Sequence, residues 1–324
     1  MNYIQQAYKG LNHWWRYLVT ILLVILGWQL VGAIPLLLVA ITHSKDMTEF
    51  AAAAQENFMN LGIDSNLFLV LMILMFVFGL IFLFIGIKSI HKRKVKTLIT
   101  SRKNIDWKRV FFAFGLWFSI GVIMLVVSYY GNTETLVWNF KPLPFLVLVL
   151  ISFLFLPLQT SFEELLFRGY LMQGLGILAK NRWIPLFITS VAFGLLHGMN
   201  PEVDKLGYTV MVFYIGTGFL LGILTLMDEG TELALGFHAA NNIVAAVFVT
   251  QNWTVFQTEA LYIDNAEPTM GYETYIPVFI LYPIVLFIFS KKYHWTDWSG
   301  KLFGKVEKPK ETTNFFKEES FLEV

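Results

Sequence analysis

Long apolar runs without Asp, Glu, Lys or Arg alternate with short polar segments along most of the chain. An α-helix needs about 20 such residues to cross roughly 30 Å of hydrocarbon. Eight runs meet or approach this length: Tyr17–Thr42, Leu67–Ile87, Val110–Tyr130, Pro142–Phe162, Trp183–Pro201, Leu206–Met227, Leu233–Thr250 and Tyr275–Ser290. A soluble protein with buried helices could contain a few such runs. Eight of them predict an all-α, polytopic membrane bundle of about eight transmembrane helices.

The composition agrees with a membrane protein and excludes several classes of function. Hydrophobic residues make up 56% of the 324 residues and charged residues only 15%, with a mean hydropathy of +0.60. A soluble domain carries a more highly charged surface. The net charge of +1 gives no basic field that would favour nucleic acid as a partner. Cysteine is absent, which excludes disulfides, thiol nucleophiles and Cys-ligated zinc.

Lysine and arginine concentrate in particular connections between the runs, and such segments usually lie in the cytoplasm. They follow the second, the fourth and the last run. These residues are Lys88, Lys92, Arg93, Lys94, Lys96, Arg102, Lys103, Lys108, Arg109, Lys180, Arg182, Lys291 and Lys292. Loops 43–66 and 251–274 are acidic or nearly so. We therefore expect both termini in the cytoplasm and the two acidic loops outside.

Three regions follow from this organisation. Residues 1–140 form an N-terminal three-helix membrane region with a basic cytoplasmic loop at 88–109, which we expect to fix the topology. Residues 141–250 contain the ionisable residues inside the membrane and form the predicted catalytic core. Residues 251–324 comprise an outer loop, the last transmembrane helix and a polar cytoplasmic tail. The tail sequence KVEKPKETTNFFKEES lacks periodic apolar positions and is predicted to be disordered.

The stretch SFEELLFRGY places three ionisable groups directly after a clean apolar run. Ionisable groups inside a membrane are costly and usually functional. Glu164 and Arg168 are four residues apart and share a helical face, so Arg168 can neutralise Glu164. Glu163 lies about 100 degrees around the helix and points elsewhere. An alternative is that the triplet only ends the span at the interface, but that leaves the histidines unexplained.

Two further motifs have the same spacing. Phe193 and His197 are four residues apart, as are His238 and Asn242. If the fourth and fifth runs form an antiparallel hairpin, Glu163 and His197 lie at the same depth. His238 lies closer in sequence to its own loop, so its depth does not follow from this count. Each histidine alone could simply satisfy a polar neighbour, whereas three spaced motifs together favour a site.

A carboxylate, two imidazoles and an amide suit hydrolysis of an amide bond. Glu163 could take a proton from water, and His197 could share that water or pass the proton on. His238 and Asn242 could donate hydrogen bonds to the developing oxyanion. The His-Glu-x-x-His, Gly-x-Ser-Gly and Gly-x-Gly-Asp patterns of other intramembrane proteases are missing from the chain.

A divalent metal such as zinc is the alternative, with Glu163, His197 and His238 as three ligands and an open position for water. Histidine ligands normally donate their second ring nitrogen to a carboxylate or a carbonyl. The only other carboxylate in the motifs, Glu164, is better explained by Arg168. The sequence therefore favours direct water activation by Glu163 without a required cofactor.

Together the motifs resemble those of the CPBP family, the CAAX prenyl endopeptidases and bacteriocin-processing enzymes also called Abi. The matching motifs are Glu163-Glu164-x-x-x-Arg168, Phe193-x-x-x-His197 and His238-x-x-x-Asn242. The resemblance covers residues 155–250. It implies an eight-helix fold and hydrolysis of a peptide bond within the membrane. It also implies Glu163 and His197 as water activators, with His238 and Asn242 as the oxyanion site.

The resemblance implies a membrane-associated peptide or protein as the substrate, and the lipid bilayer as surroundings. The sequence looks more like the prokaryotic branch, which favours a prokaryotic cell membrane and makes prenylated substrates doubtful. Some relatives have lost the catalytic residues and act as scaffolds or immunity proteins, but all the motif residues are present here. A rival function is a transporter that uses Glu163 and the histidines as a proton relay. No inverted repeat supports it.

Overall fold

The computed structural model describes residues 1–131, 134–269, 271 and 274–309, and most of them are helical. The α-helices are α1 (Trp14–Ile25), α2 (Ile34–His43), α3 (Met47–Gln55), α4 (Ser65–Ile85), α5 (Lys96–Ile99), α6 (Trp107–Gly131), α7 (Pro142–Glu164), α8 (Met172–Ala179), α9 (Trp183–Leu196), α10 (Pro201–Leu206), α11 (Met211–Asp228), α12 (Glu232–Val247), α13 (Tyr282–Lys292) and α14 (Trp298–Phe303).

Shorter helical turns extend several of these helices. The π-helical segments are Leu26–Val31, Gly86–Ile90, Leu165–Leu171 and Pro277–Leu281. The 3₁₀ segments include Ile4–Lys9, His197–Met199 and Tyr208–Val210. The segment Leu165–Leu171 joins α7 and α8 into one helical run that starts at Pro142 and ends at Ala179.

Five helical segments are long and apolar enough to cross a membrane, which confirms the mostly helical fold and indicates a multi-pass membrane protein. They are Trp14–His43, Ser65–Ile90, Trp107–Gly131, Pro142–Ala179 and Tyr208–Asp228. The other three predicted spans contain shorter helices, namely α9, α12 and α13. The count of eight and the cytoplasmic termini stay predictions.

A small three-stranded sheet lies at the end of the bundle where α6 ends and α7 begins. Its strands are β1 (Leu136–Trp138), β2 (Val249–Thr250) and β3 (Tyr262–Asp264), in the order β1-β3-β2. β1 pairs antiparallel to β3, and β2 pairs parallel to it. The ion pair between Lys141 and Glu259 at 2.9 Å holds the same segments together. We call this end of the molecule the acidic end, because loops 43–66 and 251–269 meet there.

The other end of the bundle carries the cation-rich loops, and we call it the basic end. Arg102 forms ion pairs with Asp228 at 2.8 Å and with Glu232 at 3.1 Å. Arg182 and Lys301 both pair with Glu229. Burial raises the pKa of Glu229, but these two cations outweigh it and the net pKa lies below the usual value.

Helix α12 occupies the centre of the bundle and packs against α6, α7 and α11. Gly236 allows the close approach to α6, because an added Cβ there would collide with the carbonyl oxygen of Val110. Gly218 similarly lets α11 approach the backbone of Ser190 in α9. Small residues permit such close helix contacts in membrane proteins. The site residues on α7, α9 and α12 are thereby brought together.

The predicted disorder of the C-terminal tail is wrong for its first residues. Val306 is buried, and its N–H donates to the carbonyl oxygen of Lys180 at 2.9 Å. Burial of this one apolar side chain and the backbone bonds of the neighbouring Arg182 to Gly304 order the segment. Residues 310–320 of the predicted tail lie outside the described residues.

Candidate active site

Glu163 and Glu164 are the last residues of α7, and Arg168 lies in the π-helical segment that follows. π-helical turns occur preferentially at functional sites. All three residues are buried in the bundle. The triplet is therefore inside the protein, packed against other helices rather than exposed at the end of a span.

Glu164 and Arg168 form the ion pair that their spacing predicts. Nη1 of Arg168 lies 3.0 Å from Oε1 of Glu164, and both side chains are inaccessible to solvent. Nη2 of Arg168 donates to the carbonyl oxygen of Gly218 at 3.1 Å. The guanidinium also lies 4.2 Å from the centroid of the Phe193 ring. Arg168 thus connects α7, α9 and α11 by charge, hydrogen bonding and a cation–π contact.

His238 on α12 lies between the two glutamates. Its Nδ1 is 2.8 Å from Oε1 of Glu164, and its Nε2 is 3.5 Å from Oε2 of Glu163. His238 is closer in sequence to its own loop than Glu163 is, but its side chain nevertheless lies beside the glutamates of α7. Glu164 serves both Arg168 and His238, which corrects the interpretation that Arg168 alone explains this carboxylate.

A chain of amides leads from α6 to Glu163. Asn242 donates through Nδ2 to Oε1 of Gln159 at 2.9 Å, and Gln159 donates through Nε2 to Oε1 of Glu163 at 2.6 Å. Asn241 donates to Asn242 at 3.2 Å and accepts from Nε1 of Trp117 at 3.1 Å. Each N–H points along the chain towards the carboxylate. Oε2 of Glu163 has no hydrogen-bond partner among the described residues.

His197 follows the last residue of α9 and is held from two sides. Its Nδ1 lies 2.8 Å from the carbonyl oxygen of Phe193, one turn earlier. The ring of Tyr214 on α11 stacks on the imidazole, with the centroids 4.6 Å apart and the planes at 21°. The Tyr214 hydroxyl donates to Glu202, which also accepts from Asn200 at 3.2 Å.

All four predicted catalytic residues line one cavity of about 580 Å³. Its polar lining residues include Gln159, Glu163, His197, Glu202, His238 and Asn242. Phenylalanine, leucine and other apolar side chains form most of the remaining wall, and no Lys or Arg of the described chain lines it. Phe193 of the second motif also contributes to the wall. Glu164 and Arg168 lie behind it and support Glu163 and His238 from the protein side.

The predicted metal ligands fit a divalent ion by donor type but not by position. Nδ1 of His238 faces Glu164 and Nδ1 of His197 faces a carbonyl oxygen, which leaves both Nε2 atoms available. This arrangement removes the argument that His238 lacks a carboxylate partner. Among the described residues, however, no three His, Asp or Glu side chains are placed to hold a metal ion.

Sequence inspection missed four residues of this site: Gln159, Glu202, Tyr214 and Asn241. Gln159 had a usable signal, because it lies four residues before Glu163 and is the first amide in a long apolar run. Asn241 is adjacent to a motif residue. Tyr214 had no local signal, since it meets His197 only through the packing of α11 on α9, and Glu202 on α10 joins the site through the Tyr214 hydroxyl.

Comparison with known proteins identifies the family to which the region around the site belongs. Residues 142–244 match the family described as Type II CAAX prenyl endopeptidase Rce1-like. The chain is 28% identical over 260 residues to the uncharacterized protein YyaK of Bacillus subtilis (strain 168), which covers 79% of this chain and 85% of YyaK. No solved structure matches the chain. The sequence resemblance is thereby confirmed, and residues 142–244 form a domain of the Rce1-like type II CAAX prenyl endopeptidase (CPBP) family.

Proposed function

We propose that the protein is an intramembrane endopeptidase that hydrolyses a peptide bond in a membrane-associated peptide or protein. The observation that carries the proposal is the position of Glu163. One of its oxygens accepts a hydrogen bond from Gln159, and the other has no hydrogen-bond partner among the described residues, beside a cavity that also contains His197 and His238. A carboxylate oxygen that accepts no hydrogen bond and lies next to a cavity is suited to accept a proton from water.

The other side chains have roles in the same step. As Glu163 takes a proton, the water oxygen attacks the scissile carbonyl carbon and the carbonyl oxygen becomes negatively charged. Asn242 uses one amide N–H on Gln159 and retains the second for this oxyanion. His238 donates through Nδ1 to Glu164, so its Nε2 carries an N–H for the oxyanion only in the imidazolium form. The tetrahedral intermediate then collapses: the carbonyl re-forms, the C–N bond breaks, and Glu163 gives its proton to the leaving nitrogen, with His197 assisting the transfer.

A cleavage screen tests the proposal. Purified protein in detergent or vesicles is incubated with a set of membrane-associated peptides, and the products are identified by mass spectrometry. We expect cleavage by the wild type and none by Glu163→Gln, because the neutral amide cannot take a proton from water. Thermal unfolding checks that Glu163→Gln is folded. Uptake of a solute without any peptide cleavage would favour a transporter instead.

A further inference from the structure

The cavity runs from the glutamates towards the acidic end of the bundle. Helix α4 contributes residues from its first half, beginning with Ser65, and α12 contributes residues from its second half, ending near Val249. Since α4 begins and α12 ends at the acidic end, both observations show that the cavity extends to this end. The half-buried segment 254–257 and the buried Thr258 complete the wall at this end.

The segment 254–258 lines the cavity at this end, and one hydrogen bond joins it to the residues around His197. The N–H of Val255 donates to Oε2 of Glu202 at 3.1 Å. Glu202 also accepts from the hydroxyl of Tyr214, whose ring stacks on His197. Further bonds anchor the same segment to α12 and β2, since the Thr258 hydroxyl donates to the carbonyl oxygen of Ala246 at 2.6 Å and the Thr250 hydroxyl donates to that of Phe256 at 3.0 Å.

Charge pairs connect the loops at the opposite, basic end of the bundle. The basic end is sealed by the ion pairs of Arg102 with Asp228 and Glu232, and of Arg182 and Lys301 with Glu229. Among the described residues that line the cavity, none belongs to the loops that carry these pairs. The cavity that contains Glu163 therefore does not extend to the loops at the basic end.

The two ends differ strongly in charge. Loop 88–109 contains nine Lys and Arg residues, whereas loops 43–66 and 251–269 together contain one, Lys45. The same two loops contain seven acidic residues: Asp46, Glu49, Glu56, Asp64, Glu259, Asp264 and Glu267. Because loops rich in Lys and Arg stay in the cytoplasm, this distribution places the acidic end outside.

We infer that the cavity is open to the outer side of the membrane and that its substrate is an apolar peptide segment presented there. The inference rests on the proposed function and adds the side and class of the substrate. Apolar walls formed by residues such as Phe68, Met72, Phe213 and Phe256 favour an apolar segment over a charged one. A protein segment confined to the cytoplasm would not reach Glu163.

Labelling of single cysteines tests the side of access without any cleavage. The chain has no cysteine of its own, so each introduced thiol is unique. Ala245 lines the cavity, whereas its neighbour Ala246 is fully buried against other helices. In intact cells treated with a membrane-impermeant maleimide, we expect Ala245→Cys to react and Ala246→Cys to remain unlabelled. Lys94→Cys, which is exposed at the basic end, should react only after the cells are opened.

The outcomes separate the inference from the proposed function. Reaction of Ala245→Cys only from the cytoplasmic side, or from neither side, would overturn the outward opening. A second arm adds an impermeant peptide with an apolar stretch to intact cells and to inverted vesicles. Cleavage in intact cells by the wild type and not by Glu163→Gln supports the inference, and cleavage in inverted vesicles alone refutes it. Absence of cleavage in both counts against the peptidase, while the labelling still decides the side of access.

Discussion

Nδ1 of His238 lies 2.8 Å from Oε1 of Glu164, the same oxygen that accepts a hydrogen bond from Arg168. The two residues are on α12 and α7, so this contact fixes the rotation of one helix relative to the other. It also orients the imidazole so that Nε2 points towards Glu163. Glu164 is thus a positioning residue for His238 as well as the counterion of Arg168.

The buried pair of Glu164 and Arg168 should be important for stability. We expect Glu164→Gln or Arg168→Ala to lower the free energy of unfolding by about 3–5 kcal/mol, because each leaves an uncompensated buried charge. Glu163→Gln should have a much smaller effect. Chemical unfolding in detergent, followed by intrinsic fluorescence, measures the difference.

The chain offers a matched control for this pair. Lys45 and Glu49 have the same spacing, but they are 3.7 Å apart, with Lys45 largely exposed and Glu49 half-buried. Lys45→Ala should change the free energy of unfolding by no more than about 0.5 kcal/mol. Equal stability of Arg168→Ala and Lys45→Ala would contradict the assignment of a buried pair.

Gln159 should position Glu163 and Asn242. Gln159→Leu leaves two buried polar groups without a partner, and we expect it to reduce activity as well as to lower stability by about 1–3 kcal/mol. Gln173→Leu is the control, since Gln173 is a buried amide on α8 that donates to the carbonyl oxygen of Thr97. It should lose similar stability but keep its activity.

A merely structural role of Gln159 would give a different result. If Gln159 orients Glu163, the pH profile of kcat should shift in Gln159→Leu and remain unchanged in Gln173→Leu. Equal loss of kcat in both variants, with unchanged pH profiles, would show that Gln159 acts only through stability.

Tyr214 should hold the imidazole of His197 through its ring. Tyr214→Phe keeps the stacked ring and loses the hydroxyl bond to Glu202, whereas Tyr214→Ala loses both. We expect the phenylalanine variant to keep most of kcat and the alanine variant to fall at least about tenfold, which corresponds to about 1.4 kcal/mol. Equal losses in the two variants would assign the effect to the hydroxyl and Glu202 instead.

The contacts within one helix could be predicted from the sequence, and the contacts between helices could not. The pairing of Glu164 with Arg168 follows from their spacing, and so does the different direction of Glu163. The contact of His238 with both glutamates depends on how α12 packs against α7. That packing rests on close approaches such as Gly236 on Val110, which one sequence does not reveal.

The spans show the same limit. Hydropathy located the helices well, but α9, α12 and α13 are shorter than the apolar runs that contain them. The run Trp183–Pro201 ends as a helix near His197, because the backbone changes there to a 3₁₀ turn and then to an extended Asn200 before Pro201. Pro201 restricts the backbone of Asn200 to an extended conformation, which explains why the helix ends before it.

Removal of metal ions tests the remaining alternative. No step of the proposed mechanism uses a metal, so we expect protein treated with a strong chelator to keep most of its activity and elemental analysis to find well under one metal per chain. Loss of activity that stoichiometric zinc alone restores would contradict this prediction. His197 and His238 would then be ligands through their available Nε2 atoms, with Glu163 as a third ligand or as the base.

Exposed positions at both ends test the orientation of the chain. Lys45, Lys94 and Glu267 are all exposed, so differences in labelling report the side of the membrane rather than burial. In intact cells, an impermeant maleimide should react with Lys45→Cys and Glu267→Cys but not with Lys94→Cys. Labelling of Lys94→Cys alone would reverse the topology.

The π-helical turn at Leu165–Leu171 determines how far α8 is rotated about the helix axis relative to α7. The half before it carries the glutamates, and the half after it packs on the N-terminal region through Gly174 against Tyr17. Deleting one residue of the turn would restore regular α-helix but rotate α8 by about 100° relative to Glu163. Gln173 would lose Thr97, and a side chain would replace Gly174 against Tyr17. The turn therefore acts as a one-residue spacer. It lets one helical run direct the glutamates into the site and Gly174 against Tyr17 at the same time.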